Sequence, residues 1–479
     1  MKRFLLILSL AGIVSACVDS DVYENVIEED NNKIVLSEEE LISISYDNPE
    51  NLTEDEVLAY VTSFIDGLGV MTRSSSEVTA TIADSYEVRF PTKTLTRSGL
   101  CESVKFYNVA LKSSKSDGYA IVSADERSAG VIAYIENGDF TKKNETGAHM
   151  MLQLSEATVI TEIDRIEKIR QELRNQTLEK LSKITGVQNV SYLDIKDRLT
   201  TKASSKITRS VAYDTPLTQV VSMMPTTGPV LNIEWSQDYP YNMLLGVCYD
   251  PLFHMETHYP AGCGIIAGAQ TLAAIEPNIT IDGVSIDWDF LKENPTVEYY
   301  PYFGGELEKA EMVATLIKDM YDETETTPNI DEDFIYDTWD DPDIPCVKSS
   351  STSVSALRDY LNQYISCGTY YNRYAPDPLL TTINANRQMP CVAIMGGVHA
   401  ANETAEKGSH AWIIDGYVTC VKSTREILQN YDLYFHANMG WGGTDNGYYK
   451  VNADTSTDFE TNVGTYNTNF WEITQIHRK

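Results

Sequence analysis

A chain of 479 residues has room for about three folded units, and its 42% hydrophobic residues and 29 tyrosines supply a large core. A formal net charge of −33 argues against nucleic acid as a partner, because phosphate binding needs a basic face. The eight cysteines (17, 101, 248, 263, 346, 367, 391 and 420) contain no C-x-x-C pair, which removes support for a zinc ribbon or a thioredoxin-like redox site.

The chain opens with Met1-Lys2-Arg3, an apolar run over residues 4–14, then Ser15, Ala16 and Cys17. This is the pattern of a secretory signal, too short to span a bilayer. Val14-Ser15-Ala16-Cys17 resembles a bacterial lipobox, in which the cysteine thiol is lipidated and becomes the new N-terminus. The acidic residues that follow (Asp19, Asp21, Glu24, Glu28, Glu29, Asp30) resemble surface-export signals of some Gram-negative lipoproteins. The expectation is a lipoprotein of the outer membrane or cell surface, touching the membrane through that anchor only. Export permits disulfides, but the sequence leaves their pairing open.

Residues 18–50 read as an acidic tether, with room for a short helix after Ser37. Residues 51–69 read as a helix: Thr53 caps it, Glu56 completes a capping box, and Val57, Leu58, Val61 and Phe64 follow at helical spacing. Residues 72–76 are a polar break. Residues 86–140 are rich in strand patterns, at 104–109, 119–123 and 130–135. Residues 148–181, charged and free of proline, read as a long helix. The stretch from Lys196 to Arg209 adds Arg198, Lys202 and Lys206, and residues from 200 to about 220 read as an exposed linker open to proteolysis.

From Pro229 the composition shifts to aromatics, Gly and Pro, which suggests a second domain. Helices are expected after Cys263, near 306–321 and near 353–365; strands are expected at 390–396, 410–418, 431–437 and 447–451. Helices first and strands later indicate an α+β fold.

Four segments of this second part carry chemistry. Gly262-Cys263 opens a helix-compatible run, and a cysteine at a helix N-terminus with an imidazole in reach is activated toward thiolate. His410 begins the strand-like run His410-Ala411-Trp412-Ile413-Ile414-Asp415-Gly416; His399, in a glycine-containing stretch that reads as a loop, competes with it. Asn438, in Asn438-Met439-Gly440-Trp441-Gly442-Gly443, offers an amide oxygen that could hold the imidazole, with Trp441 shielding that bond and facing substrate. Gln237, in Trp235-Ser236-Gln237, offers an amide N–H for an oxyanion hole.

Together and in this order the four segments resemble the streptopain family of papain-like cysteine proteases. Trp235-Ser236-Gln237 with Pro240-Tyr241-Asn242 is similar to that family's oxyanion-hole segment, and Gly262-Cys263 with Ala269-Gln270 to its nucleophile helix. His410-Ala411 with Asp415-Gly416 is similar to its histidine strand, and Asn438 to Gly443 to its asparagine–tryptophan turn. Earlier in the chain, the residues from Gly118 to Arg127 and from Tyr134 to Gly138 resemble the streptopain propeptide or inhibitor domain. The resemblance implies a papain-like α+β protease domain over 229–479, preceded by a smaller α+β propeptide domain over 51–199 and a cleavable linker over 200–228. It implies a zymogen whose propeptide inhibits it, and hydrolysis of protein or peptide substrates through a cysteine acyl-enzyme. No metal or organic cofactor is expected, although an oxidised thiol would need reduction. Two departures bear on substrate preference. Gly264-Ile265-Ile266-Ala267-Gly268 replaces an Ala-Thr-Ala-rich stretch, its two glycines each costing the helix about 1 kcal/mol relative to Ala. Met439 stands where a Trp often follows the Asn. The rivals are a catalytically silent binding or adhesion protein on the same fold and a transglutaminase-like acyltransferase.

Overall fold

The computed structural model describes residues 33–46, 48–72, 78–89, 103–143, 147–188, 190–201, 219–221, 228–250, 255–330, 347–399, 408–424, 428–451 and 468–479. The signal segment with Cys17 and most of the expected linker lie outside these residues. The described chain is a mixed α+β structure, and none of its helices is long and apolar enough to cross a membrane.

The N-terminal part contains β1 (Ile34–Leu36), α1 (Glu38–Ser45), α2 (Glu54–Thr72), β2 (Thr79–Arg89), β3 (Ser103–Lys112), β4 (Asp117–Ser123), β5 (Gly130–Ile135), α3 (Ala148–Thr185) and β6 (Leu199–Thr201). The cap read from the sequence at Thr53 is formed, and α1 carries another. Ser37 and Glu40 close a capping box on α1, and at α2 the Glu56 carboxylate accepts from the Thr53 backbone N–H at 2.8 Å. Such reciprocal bonds satisfy the orphan donors of a first helical turn. Gly147 and Gly186, both at positive φ, bound the long helix α3. The tether reading fails at its C-terminal end. β1 pairs in parallel with β6, Ile34 opposite Leu199, and Leu41, Ile42 and Ile44 of α1 are buried with Ile166 and Leu181 of α3. The folded N-terminal part therefore starts before residue 51, because apolar residues spaced on one face of an eight-residue helix found a partner far along the chain.

The C-terminal part places β7 (Gln219–Val221) ahead of α4 (Cys263–Ile275), α5 (Leu307–Glu323) and α6 (Val354–Tyr364). The strands β8 (Cys391–His399), β9 (Gly408–Thr424), β10 (Leu428–Asn438), β11 (Gly447–Val451) and β12 (Thr468–Arg478) follow. α4 packs on α5 and α6 through Ile266, Ala269, Ala273, Met320 and Leu357. Gly268 belongs to that contact: a Cβ there would lie 2.7 Å from both Leu357 Cδ1 and Met320 Sδ. The glycine that weakens the helix locally thus lets its neighbours approach. His399, read as a loop residue, instead ends β8 opposite Gly408 and is fully buried. Gly396 within that strand is no turn signal; a Cβ there would meet the Trp471 indole at 2.3 Å, so the glycine admits the ring.

The two parts share one sheet. Among the described residues it has twelve strands; its main path starts at the short strand Ile365–Ser366 and continues through β12-β8-β9-β10-β11-β5-β4-β3-β2. The junction is antiparallel: Gly447, Tyr448 and Tyr449 of β11 face Ile135, Tyr134 and Ala133 of β5. Polar contacts reinforce it. Tyr434 donates to the Val131 carbonyl at 2.6 Å, Ser155 to the Lys450 carbonyl at 2.8 Å, and the buried Lys450 ammonium lies between Asp432 at 3.0 Å and Glu162 at 3.2 Å. Apolar residues of both parts, among them Phe106, Met151, Trp412, Phe435 and Tyr449, form one continuous core.

Gly447 sits where no side chain fits, since an added Cβ would be 2.3 Å from the Tyr134 carbonyl oxygen. Gly447→Ala is expected to lower the unfolding free energy of the full chain by about 1–3 kcal/mol through overpacking. Gly228→Ala, whose Cβ meets nothing within 4 Å, is expected to be neutral. Urea denaturation of the two variants checks the difference.

Candidate active site

Helix α4 begins at Cys263 because Gly262 turns the chain with φ of 92°. That glycine also lies against the Ser350 carbonyl, 2.7 Å from where a Cβ would sit. Ser350 in turn donates its hydroxyl to the Pro260 carbonyl at 2.6 Å. The strand of Ser350 thereby braces the turn, and Cys263 takes the first helical position. It is a free, half-buried thiol. Desolvation raises its pKa, opposed by hydrogen bonds from the backbone N–H groups of Ala411, Gly264 and Cys263 itself. The bond to Ala411 brings the sulfur to the residue next to His410.

The pairing expected from the sequence is thus assembled in position but not in charge. An activated thiolate was expected beside an imidazolium. His410 is buried, and desolvation lowers its pKa to about 4. A neutral ring lends no positive charge to a thiolate, and burial disfavours both charged forms.

The ring's partner also differs from expectation. His410 Nε2 donates to the Met439 carbonyl at 2.8 Å; because a carbonyl only accepts, the neutral ring carries its proton on Nε2 and leaves Nδ1 as the basic nitrogen. Trp412 stacks on the ring at a centroid distance of 6.0 Å, and Trp441 lies 6.2 Å away. Asn438 stands one residue from that carbonyl, and its amide is engaged elsewhere. Its oxygen accepts from Gly440 N–H at 3.1 Å and from Gln270 Nε2 at 3.2 Å, and its nitrogen donates to the Ile233 carbonyl at 2.9 Å. Met439 is fully buried in the core that holds Trp412 and Met151, a place where a flexible thioether fills irregular space.

Gln237 is buried, and its backbone carbonyl accepts from Ala261 N–H at 3.0 Å, two residues before the nucleophile. The loop that carries it is tied to the asparagine turn, where Gly442 N–H donates to the Trp235 carbonyl at 3.2 Å. All four candidate residues therefore belong to segments that converge at the start of α4.

Three further groups enter the site. Gly147, just before α3, lies against the imidazole: a Cβ there would be 2.4 Å from His410 Cδ2. His149, on the first turn of α3, meets the His399 ring edge-on at 4.7 Å. It is buried with both ring nitrogens unpaired, and burial first, then His399, Lys143 and His410, lower its pKa to about 4. Gln270, fully buried in α4, links the Trp235 backbone to Asn438. Of these, only Gln270 left a local signal, as an amide within an otherwise apolar helix run. Among the described residues no group of three His, Cys, Asp or Glu side chains could hold a metal ion.

The histidines make stability pH-dependent. His149 has a folded-state pKa of about 4 against an ordinary 6.5. Its contribution is complete above 6.5 and is lost as pH falls toward 4, because the unfolded chain then binds a proton that the folded chain refuses. Relative to the wild-type chain, His149→Leu is expected to gain stability steadily as pH falls from 6.5 to 4. Urea midpoints of the two chains across that window measure it.

Residues 235–449 match the model of the Peptidase C10 family. Among solved structures, a mutant prointerpain A fragment from Prevotella intermedia aligns at 17% identity and a TM-score of 0.41, over 78% of this chain and 96% of that one. The active wild-type interpain A cysteine protease of the same organism aligns at 21% identity and a TM-score of 0.33, over 52% of this chain and 94% of that one. No curated protein matches. Cys263, His410 and Asn438 all lie inside the span, residues 235–449, that is similar to the Peptidase C10 family, the streptopain family, and the chain is a cysteine-type peptidase.

Proposed function

We propose that this cysteine peptidase is an exported endopeptidase made as a zymogen, held at the outer membrane or cell surface by a lipid on Cys17. Its N-terminal domain is the inhibitor, and activation follows a cut between residues 200 and 228. The observation that carries the latent state is the contact of Gly147 with the His410 ring, in a site where imidazole and thiol are both held neutral. Moving the start of α3 away would readmit water. The His410 pKa would then rise toward 6.5 and a thiolate–imidazolium pair become affordable.

In the active form His410 Nδ1 takes the Cys263 proton and the thiolate attacks the scissile carbonyl carbon. The oxyanion is met by the Gln237 side-chain amide and the backbone N–H of Cys263 at the positive end of α4. The imidazolium then gives its proton to the leaving amine. Water, deprotonated by the same ring, hydrolyses the acyl-enzyme. Asn438 orients the ring through the turn it anchors, whose Met439 carbonyl holds the ring Nε2, and Trp441 covers the ring and faces the substrate.

Digestion of a peptide library by the full chain, set against its Cys263→Ala form, tests the central assignment. Cleavage products are expected only from the first chain; products from both would remove Cys263 from the mechanism. Gln237→Ala is expected to lower kcat by about 10²–10³-fold, the usual effect of losing one oxyanion donor. N-terminal sequencing of the active form is expected to give a start between residues 200 and 228, and a start beyond Trp235 would contradict the proposed cut.

A further inference from the structure

The buried middle of α4 holds an amide that packing alone does not require. Gln270 is fully buried and lies seven residues after Cys263, two turns along the same helix face. Its Oε1 accepts from the backbone N–H of Trp235 at 3.2 Å, and its Nε2 donates to Asn438 Oδ1 at 3.2 Å. A backbone N–H can only donate, so it fixes which end of the Gln270 amide faces Trp235. The other end is then necessarily a donor, and it fixes the Asn438 amide with its oxygen toward α4. The Asn438 nitrogen is committed to the Ile233 carbonyl at 2.9 Å, which agrees with that sense.

We propose that Gln270 is a positioning residue of the peptidase: it transmits the fixed polarity of the Trp235 N–H to Asn438, and the fixed Asn438 anchors the turn whose next carbonyl, that of Met439, accepts from His410 Nε2 at 2.8 Å. The inference rests on the reading of Asn438 as the residue that orients His410. It also assigns the nucleophile helix a second task. The same helix carries the attacking sulfur at its start and aligns, two turns later, both the asparagine turn and the loop leading to Gln237.

Gln270→Glu is the discriminating substitution. The carboxylate keeps an acceptor for Trp235 but opposes an acceptor to Asn438 Oδ1. On the full chain after its own processing, kcat is expected to fall by about 10–100-fold, the range typical when a partner that orients a functional side chain is lost. KM is expected to stay within about twofold, since no substrate contact is removed. The pH profile of kcat/KM is expected to shift on its acid limb. In an Asn438→Ala background the same substitution is expected to cost nothing further, because its route to His410 is already gone. An unchanged kcat and pH profile, or an equal loss in both backgrounds, would overturn the proposal. Should Gln270→Glu fail to fold, Gln270→Met removes the donor at similar volume and carries the same comparison. If the Cys263→Ala chain still hydrolyses peptide, the parent reading has failed; if that chain is inactive while the Gln270 variants match wild type, only this inference has.

Discussion

Three residue pairs in an antiparallel ladder, Gly447 to Tyr449 against Ile135 to Ala133, turn two domains into one sheet. Such a ladder tolerates little adjustment. A one-residue slip would turn Tyr448 and Tyr449 to the wrong faces, and Gly447 leaves no space for a side chain beside the Tyr134 carbonyl. With this register set, α3 is carried across the common core, and its first turn arrives at His410. The contact of Gly147 with the imidazole and the meeting of His149 with His399 follow from the placement of that turn.

The proposed latent state is chiefly electrostatic. The nucleophile, the base and the asparagine turn are within one neighbourhood, yet the surroundings favour the uncharged form of both titrating groups. A thiolate–imidazolium pair is stable where charge is solvated or matched by dipoles, and disfavoured beneath an apolar cover. The helix N-terminus and the Ala411 N–H supply dipoles, and they do not outweigh desolvation while the cover is in place.

Much of this was legible in the sequence. The capping box at Thr53 is local chemistry, and the strand at 130–135 and the helix starting at Ala148 appear as periodicity. The segments bearing Gln237, Cys263, His410 and Asn438 show themselves by their order. What could not be read depended on contacts between distant residues. Ile34 to Leu36 looked like tether because its partner, β6, lies more than 160 residues away. His399 looked like loop because Gly396 before it makes room for Trp471 rather than for a turn. The orientation of the His410 ring was beyond reach for the same reason, since it depends on a carbonyl in one domain and a glycine in the other.

Asp415 was noted in the sequence only as part of the histidine strand. In the structure it is fully buried, and its carboxylate takes the His436 ring at 2.5 Å and the Leu231 N–H at 2.9 Å. Its carbonyl also accepts from Val230 N–H at 3.3 Å. The strand behind the histidine therefore fastens the point where the chain enters the C-terminal domain. Severing the backbone upstream would create a loose end without loosening the fold behind it, so the molecule can be nicked there and keep its shape.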